Sequence, residues 1–207
     1  ILGASALSFG LLLAIPLGVL AAMRPNTLID RFALGLAVIG QALPSFWFAL
    51  IMIFFFGVAL RWLPITGSDS WLNFVMPSIA LGYYITPAVM RLTRAGMIEV
   101  LSSDYIRTAR AKGLRPSIVL FKHALRNAII PVVSLAAVQF GFMLGGSIVI
   151  ETIFAINGLG QLAWESILRA DLPMMQAIVL VLSCFYIILT LVADILNAFL
   201  DPRIRVS

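Results

Sequence analysis

Five long stretches with no charge, or with a single one, constrain this chain more than any other feature. They run over residues 1–23, 32–60, 71–90, about 128–150 and about 172–200, the last interrupted only by Asp194. A bilayer core of about 30 Å takes about 20 apolar residues in a helix rising about 1.5 Å per residue, so each stretch is long enough to cross. Backbone N–H and C=O groups find no water in lipid, which leaves helices or a closed barrel. The period-2 alternation of barrel strands is absent. The sequence therefore predicts an all-α membrane protein, a polytopic helical bundle of about five spans forming one domain over 1–207. Charged residues make up 11% of the chain, against about 25% in soluble domains. Cys184 is the only cysteine and lies inside an apolar run, which excludes a disulfide framework and a cysteine metal site. The chain is hydrophobic from Ile1 onward, without a basic lead-in or a small-residue cleavage pattern. A shortened start is expected rather than a signal peptide.

Cytoplasmic loops collect Lys and Arg, and five spans sort the basic residues unevenly. One side receives Arg24 and Arg31, the eight in segment 91–126, and Arg203 and Arg205, 12 in all; the other receives Arg61 and Arg169. Segment 91–126 is thus expected to be cytoplasmic, and 61–70 and 151–171 to face outward. Within the spans, Pro44 and Pro87 should kink their helices and free carbonyls that need a neighbour or water. A packing kink is favoured over a site lining a path, and Gln41, Pro44 and Gln139 are the candidates for such a path. Gly141 and Gly145 have the spacing that lets two helices approach closely.

Segment 91–126 is far longer than the about 2–8 residues that usually join two helices, so it should have a task of its own. Its grammar is helix, stop, helix. Asp104 suits an N-cap, "YIRTARAK" is helix-forming, Arg110 and Lys112 suit the last turn, and Gly113 stands where a left-handed residue closes a helix. Tyr105, Ile106 and Ala109 share one face while Arg107 and Arg110 lie on another. A second helix is expected from Pro116 through "SIVLFKHALRNA", turning into the fourth span near Pro131. A helix of about 12 Å is marginal alone and must dock. Docking on protein is favoured over an anionic lipid surface. Nucleic acid is disfavoured for want of interleaved stacking aromatics.

"DYIRTARAKGL" (104–114), "HALRNAIIPV", "LGGSIVIETIF", "GLGQL" and the closing "DPRIR" together resemble the permeases of dipeptide, oligopeptide and nickel ABC importers, and the resemblance extends over essentially the whole chain. The segment is similar to the cytoplasmic loop of such permeases, with Arg107, Thr108 and Ala109 at the positions of the family's E-A-A triplet. Only Ala109, Gly113 and Leu125 match the general loop pattern; the other residues are those of the peptide branch. The resemblance implies the type I importer transmembrane fold in a prokaryotic inner membrane. It further implies that Asp104, Tyr105, Ile106, Arg107, Thr108, Ala109, Arg110, Ala111, Lys112, Gly113 and Leu114 couple to two ATP-binding subunits. A second homologous permease, an extracytoplasmic solute-binding protein and surrounding lipid complete the expected partners. ATP and magnesium are expected on the ATPase subunits, with no cofactor on this chain. The sequence has no G-x-x-x-x-G-K-S/T loop of its own. Cargoes in the family include peptides, nickel chelates, glutathione and opine-like solutes, and a peptide is the expected one.

Other chemistry is weaker. "GLGQLA" (158–163) formally fits a dinucleotide fingerprint but has no βαβ unit around it, and reads as a turn between outer helices. His123, the only histidine, cannot form a histidine metal cluster. Asp194 inside a span is expected to find a structural partner among the loop arginines rather than to act as a gate. Glu151, with Glu165 and Asp171, makes the outer loop acidic and reads as a solvated rim or a binding-protein footprint. An ion- or proton-coupled secondary transporter is the alternative function, though few ionisable groups lie in the spans. An intramembrane enzyme would need a convergent set of catalytic groups that is not seen.

Overall fold

A computed structural model describes residues 1–200, and is all-helical among them. The closing "DPRIR", with Arg203 and Arg205, lies outside the described residues. Helix α1 spans Leu2–Met23, α2 Leu28–Ala42 and α3 Ser45–Met52, the last continuing as a π-helical turn over Ile53–Ala59. A 3-10 turn at Trp71–Phe74 leads into α4 (Val75–Gly82), a second one at Tyr83–Ile85 leads into α5 (Thr86–Leu101), and α6 covers Asp104–Ala111. The chain returns through α7 (Pro116–Ile118), a π-helical stretch over Val119–Leu125 and α8 (Arg126–Ala128) into α9 (Ile130–Ile153). It ends with α10 (Leu159–Leu168) and α11 (Leu172–Leu200).

Three elements are each long and apolar enough to cross a membrane: Leu2–Met23, Trp71–Leu101 and Leu172–Leu196. Two bent pairs bring the number to five if each pair counts as one span, Leu28–Ala42 with Ser45–Ala59 at 99° and Pro116–Ala128 with Ile130–Gly145 at 51°. The sharper bend sits at Pro44, whose extended backbone (φ −63°, ψ 136°) ends α2. Tyr83 Oη donates to the carbonyl of Leu43 at 2.5 Å, which satisfies a carbonyl that the break exposes. At Pro87 the helix instead tightens into the preceding 3-10 turn and runs on. The third apolar stretch therefore does not end at Met90. It stays helical to Leu101, and the basic segment leaves the bundle there.

Three buried clusters succeed one another along α1. The first joins Leu2 and Ala6 to Met76, Ile85, Ile150 and Phe154; the middle one joins Ala14 and Ala21 to Ala33, Val89, Met90 and Val132; the third joins Val19 and Ala22 to Met97, Ile106, Val119 and Ala124. Helix α1 can lie this close to α4 because Gly82 faces it: a Cβ there would strike the carbonyl oxygen of Ala6. Of the pair Gly141 and Gly145, Gly141 lies under the ring of Tyr186 on α11, whereas Gly145 faces open space. Close approach thus uses only the first of the two.

Candidate functional site

At the basic end, α6 is eight residues long and lies across the third cluster. Ser103 takes the N-cap position and Asp104 is the first helical residue, one place further in than the sequence suggested. The Asp104 carboxylate sits in the first turn, where the helix dipole favours it, and meets Arg107 at 3.4 Å. At the other end Gly113 has φ +73°. Its N–H donates to the carbonyl of Arg110 at 3.0 Å, and the N–H of Leu114 donates to that of Ala109 at 3.4 Å. These two bonds are a Schellman closure, which needs the left-handed residue that glycine supplies without strain.

The apolar side of α6 faces inward. Ile106 is fully buried and Ala109 nearly so, both against this chain's own helices. Tyr105 does not join them: it is exposed, and its hydroxyl accepts a hydrogen bond from Asn127 Nδ2 at 2.8 Å. The expected common face of Tyr105, Ile106 and Ala109 therefore splits: Ala109 lies between the other two, about 40° from Tyr105 and about 60° from Ile106, and the buried stripe covers the Ile106 side and leaves Tyr105 at its edge. What α6 leaves outward is Asp104, Arg107, Thr108, Arg110, Ala111 and Lys112, continued by Gly113, Leu114 and Arg115. Beside it, Met23, Leu101, Arg110, Leu114, Pro116 and Phe121 line a depression of about 600 Å³.

Of the path candidates, the structure brings Gln41 and Gln139 together. Both line an open cavity of about 620 Å³, with Ser45, Tyr84, Ala88 and Phe142. Pro44 is not in its wall but makes the bend that brings Ser45 to it. The lining is apolar with a few polar groups, the usual composition of a small-molecule site.

Glu151 is not on a solvated rim. It is buried, and its Oε2 accepts from the N–H groups of Gly160 at 2.7 Å and Gln161 at 3.0 Å, at the start of α10. Those N–H groups have no partner inside their own helix, and a carboxylate at a helix N-terminus is favourable. Glycine is required at both positions of "GLG". A Cβ on Gly158 would meet the Glu151 carboxylate, and one on Gly160 would lie 2.7 Å from Ile148 Cα. The dinucleotide-like motif is not the turn between the two helices but the N-cap and first residues of α10, and the anion it cradles is the chain's own.

One arrangement escaped the sequence reading. Asp30, buried at the start of α2, binds Arg94 of α5 through both oxygens, at 2.6 and 2.7 Å, and also accepts from the N–H of Asn26 at 2.8 Å. Arg91 and Arg94 are expected in the cytoplasmic segment 91–126, but both lie within α5. An acid two residues before one predicted span and a base four residues after the next, at the same end of two antiparallel spans, is the available signal. Asp194 is exposed on α11, and none of the ion pairs among the described residues involves it, so the expected partner among the loop arginines is not found there.

A helical bundle with a short, separately closed helix projecting at its basic end and a polar-dotted cavity between its spans is the architecture of a membrane permease domain. Residues 14–206 match the family described as the binding-protein-dependent transport system inner membrane component, and the chain belongs to that family. It is 43% identical over 199 residues to the glutathione transport system permease protein GsiC of Pectobacterium atrosepticum, covering 96% of this chain and 65% of that one. To the GsiC of Escherichia coli it is 45% identical over 188 residues, covering 91% and 61%. The chain thus spans less than two thirds of the length of these relatives. Among solved structures it is similar to a chain of the MetNI methionine ABC transporter in inward-facing conformations, with a TM-score of 0.76, 19% identity, and 97% and 91% of the two chains covered. An amino acid ABC transporter with histidines gives 0.59 and 17%, over 98% and 88%. The fold is that of ABC type I importer transmembrane subunits, and the family leaves no support for the ion-coupled secondary transporter.

Proposed function

We propose that this chain is the permease subunit of an ATP-driven, binding-protein-dependent importer of small peptides, translocating its cargo by alternating access. The observation that carries the reading is α6: it is held from beneath by Ile106 and Ala109 and closed by Gly113, so its charged outer face is presented as a rigid lever. Two ATPase subunits, carrying ATP and magnesium, engage residues 104–114 from the cytoplasm and move α6 with the α7–α8 stretch packed beside it. A second permease closes the open side of the cavity at Gln41 and Gln139, and a solute-binding protein delivers cargo from outside. Glutathione, named for the GsiC relatives, is a tripeptide and fits the cargo class.

Reconstitution of the full-length protein with its second permease, ATPase subunits and binding protein in proteoliposomes tests this. Labelled glutathione or a tripeptide should accumulate only with binding protein outside and ATP inside. Accumulation driven by an ion gradient without ATP would contradict it.

A further inference from the structure

Among the described residues, Arg91 is the cation that donates to a side chain lining the cavity between the spans. It lies ten residues before the end of α5, about 15 Å along the axis. A long basic side chain near a helix end ordinarily turns toward water. Arg91 instead reaches along the helix axis away from the basic end: its Nη1 donates to Gln41 Oε1 at 3.2 Å, next to the last residue of α2. Helix α2 meets Arg94 at its other end, at Asp30, eleven residues or about 16 Å away. The direction agrees with side chains leaning toward the helix N-terminus.

Position and charge then combine. Tyr84, Ala88 and Arg91 recur at helical spacing on one face; the first two line the cavity together with Gln41 and Gln139, and Arg91 stands one turn beyond them at its edge, reaching the lining through Gln41. The side chain of Arg91 is exposed, and among the described residues no carboxylate lies within ion-pair distance of it. Glu99 is exposed eight residues further along α5, about 12 Å away and too far to pair. Its neighbour Arg94 is neutralised by Asp30 and Arg91 is not. An uncompensated guanidinium at membrane depth is costly unless it faces a water-filled cavity or finds an anion, and its fork of donors matches a carboxylate.

We infer that Arg91, oriented by Gln41, is a carboxylate-recognising group of the cavity, so that the cavity itself prefers cargo carrying a free carboxylate. The inference rests on the transport reading, since it takes the cavity for part of the path. It is tested on the assembled permease–ATPase complex without binding protein, carrying Cys184→Ser and Ala88→Cys. Labelling of the new thiol by a neutral methanethiosulfonate is measured against rising S-methylglutathione, which has two carboxylates, or its diethyl ester, which has none. The acid should protect at a concentration about 10-fold lower than the ester, as a hydrogen bond to a charged group provides. Arg91→Gln should erase that preference, and Arg91→Lys should keep part of it. Equal protection by acid and ester, or a preference that survives Arg91→Gln, would overturn the assignment. So would equal protection accompanied by separation of the two permeases in Arg91→Gln, which would give Arg91 to a carboxylate of the second subunit. ATP-driven uptake by the unmodified complex is scored separately, so a failure of the transport reading is distinguishable from a failure of this one.

Discussion

Two short helices sit at opposite ends of the bundle, and they are finished in opposite ways. Helix α10 has ten residues, and its N-terminus is sealed by the chain itself: Glu151 takes the free N–H groups, and glycines 158 and 160 make room for it. Helix α6 has eight residues and is sealed only underneath, by Ile106 and Ala109, and at its end, by Gly113. A Cβ on Gly160 would meet backbone at 2.7 Å, whereas one on Gly113 would meet nothing within 4 Å. Both are glycines at helix ends, yet one is required by crowding and the other by backbone angle alone. The crowded corner is fixed at the start of α10 by the chain's own carboxylate, although the outer face of that helix, with Trp164, Ile167 and Leu168, is exposed; the open corner, at Gly113, has no such crowding.

This contrast can be broken most readily at the crowded corner. Gly160→Val should cost about 3 kcal/mol through overpacking against Ile148 and Glu151, lowering the thermal midpoint and the folded yield of the detergent-solubilised protein. A Gly160→Val protein with the wild-type midpoint would show that α10 is not sealed as described. Glu151→Ala should cost less, about 1–3 kcal/mol, the expense of two buried N–H groups left without an acceptor. Glu151→Gln keeps one acceptor oxygen for these N–H groups and should melt above Glu151→Ala on the same thermal scale. If the two variants unfold together, it is the negative charge at the start of α10, and not the acceptor oxygen, that holds the corner.

How much of each corner can be read from residues alone follows from the distance over which its chemistry acts. Gly113, Arg110 and Lys112 form a local signal, complete within one turn, and the closure it announces is there. Pro44 is equally local, and its helix breaks where the missing N–H requires. Asp30 and Arg94 are 64 positions apart, so only the packing of α2 on α5 makes a pair of them. Glu151 read as a rim residue because its partners are N–H groups nine and ten positions on, and backbone donors leave no mark in a sequence. An acid shortly before a Gly-x-Gly helix start is the hint that was present. Arg91 reads as a loop residue because a charge marks the end of an apolar run, while the helix runs on for ten more residues.

At the open corner the expected effect on folding is smallest. Gly113→Leu places a side chain at φ +73°, a strain of about 1–2 kcal/mol confined to one helix end, and Gly113→Asn should cost less because asparagine tolerates that region. Coupling through α6 is tested most directly by the ratio of ATP hydrolysed to solute accumulated in proteoliposomes carrying the complete transporter with Gly113→Leu. The outer face of α6 should be misaimed while the bundle stays intact, so the variant should insert and fold normally and yet hydrolyse several-fold more ATP per solute, or lose its ATPase subunits on purification. A wild-type ratio with the ATPase subunits fully retained would contradict a coupling role for residues 104–114.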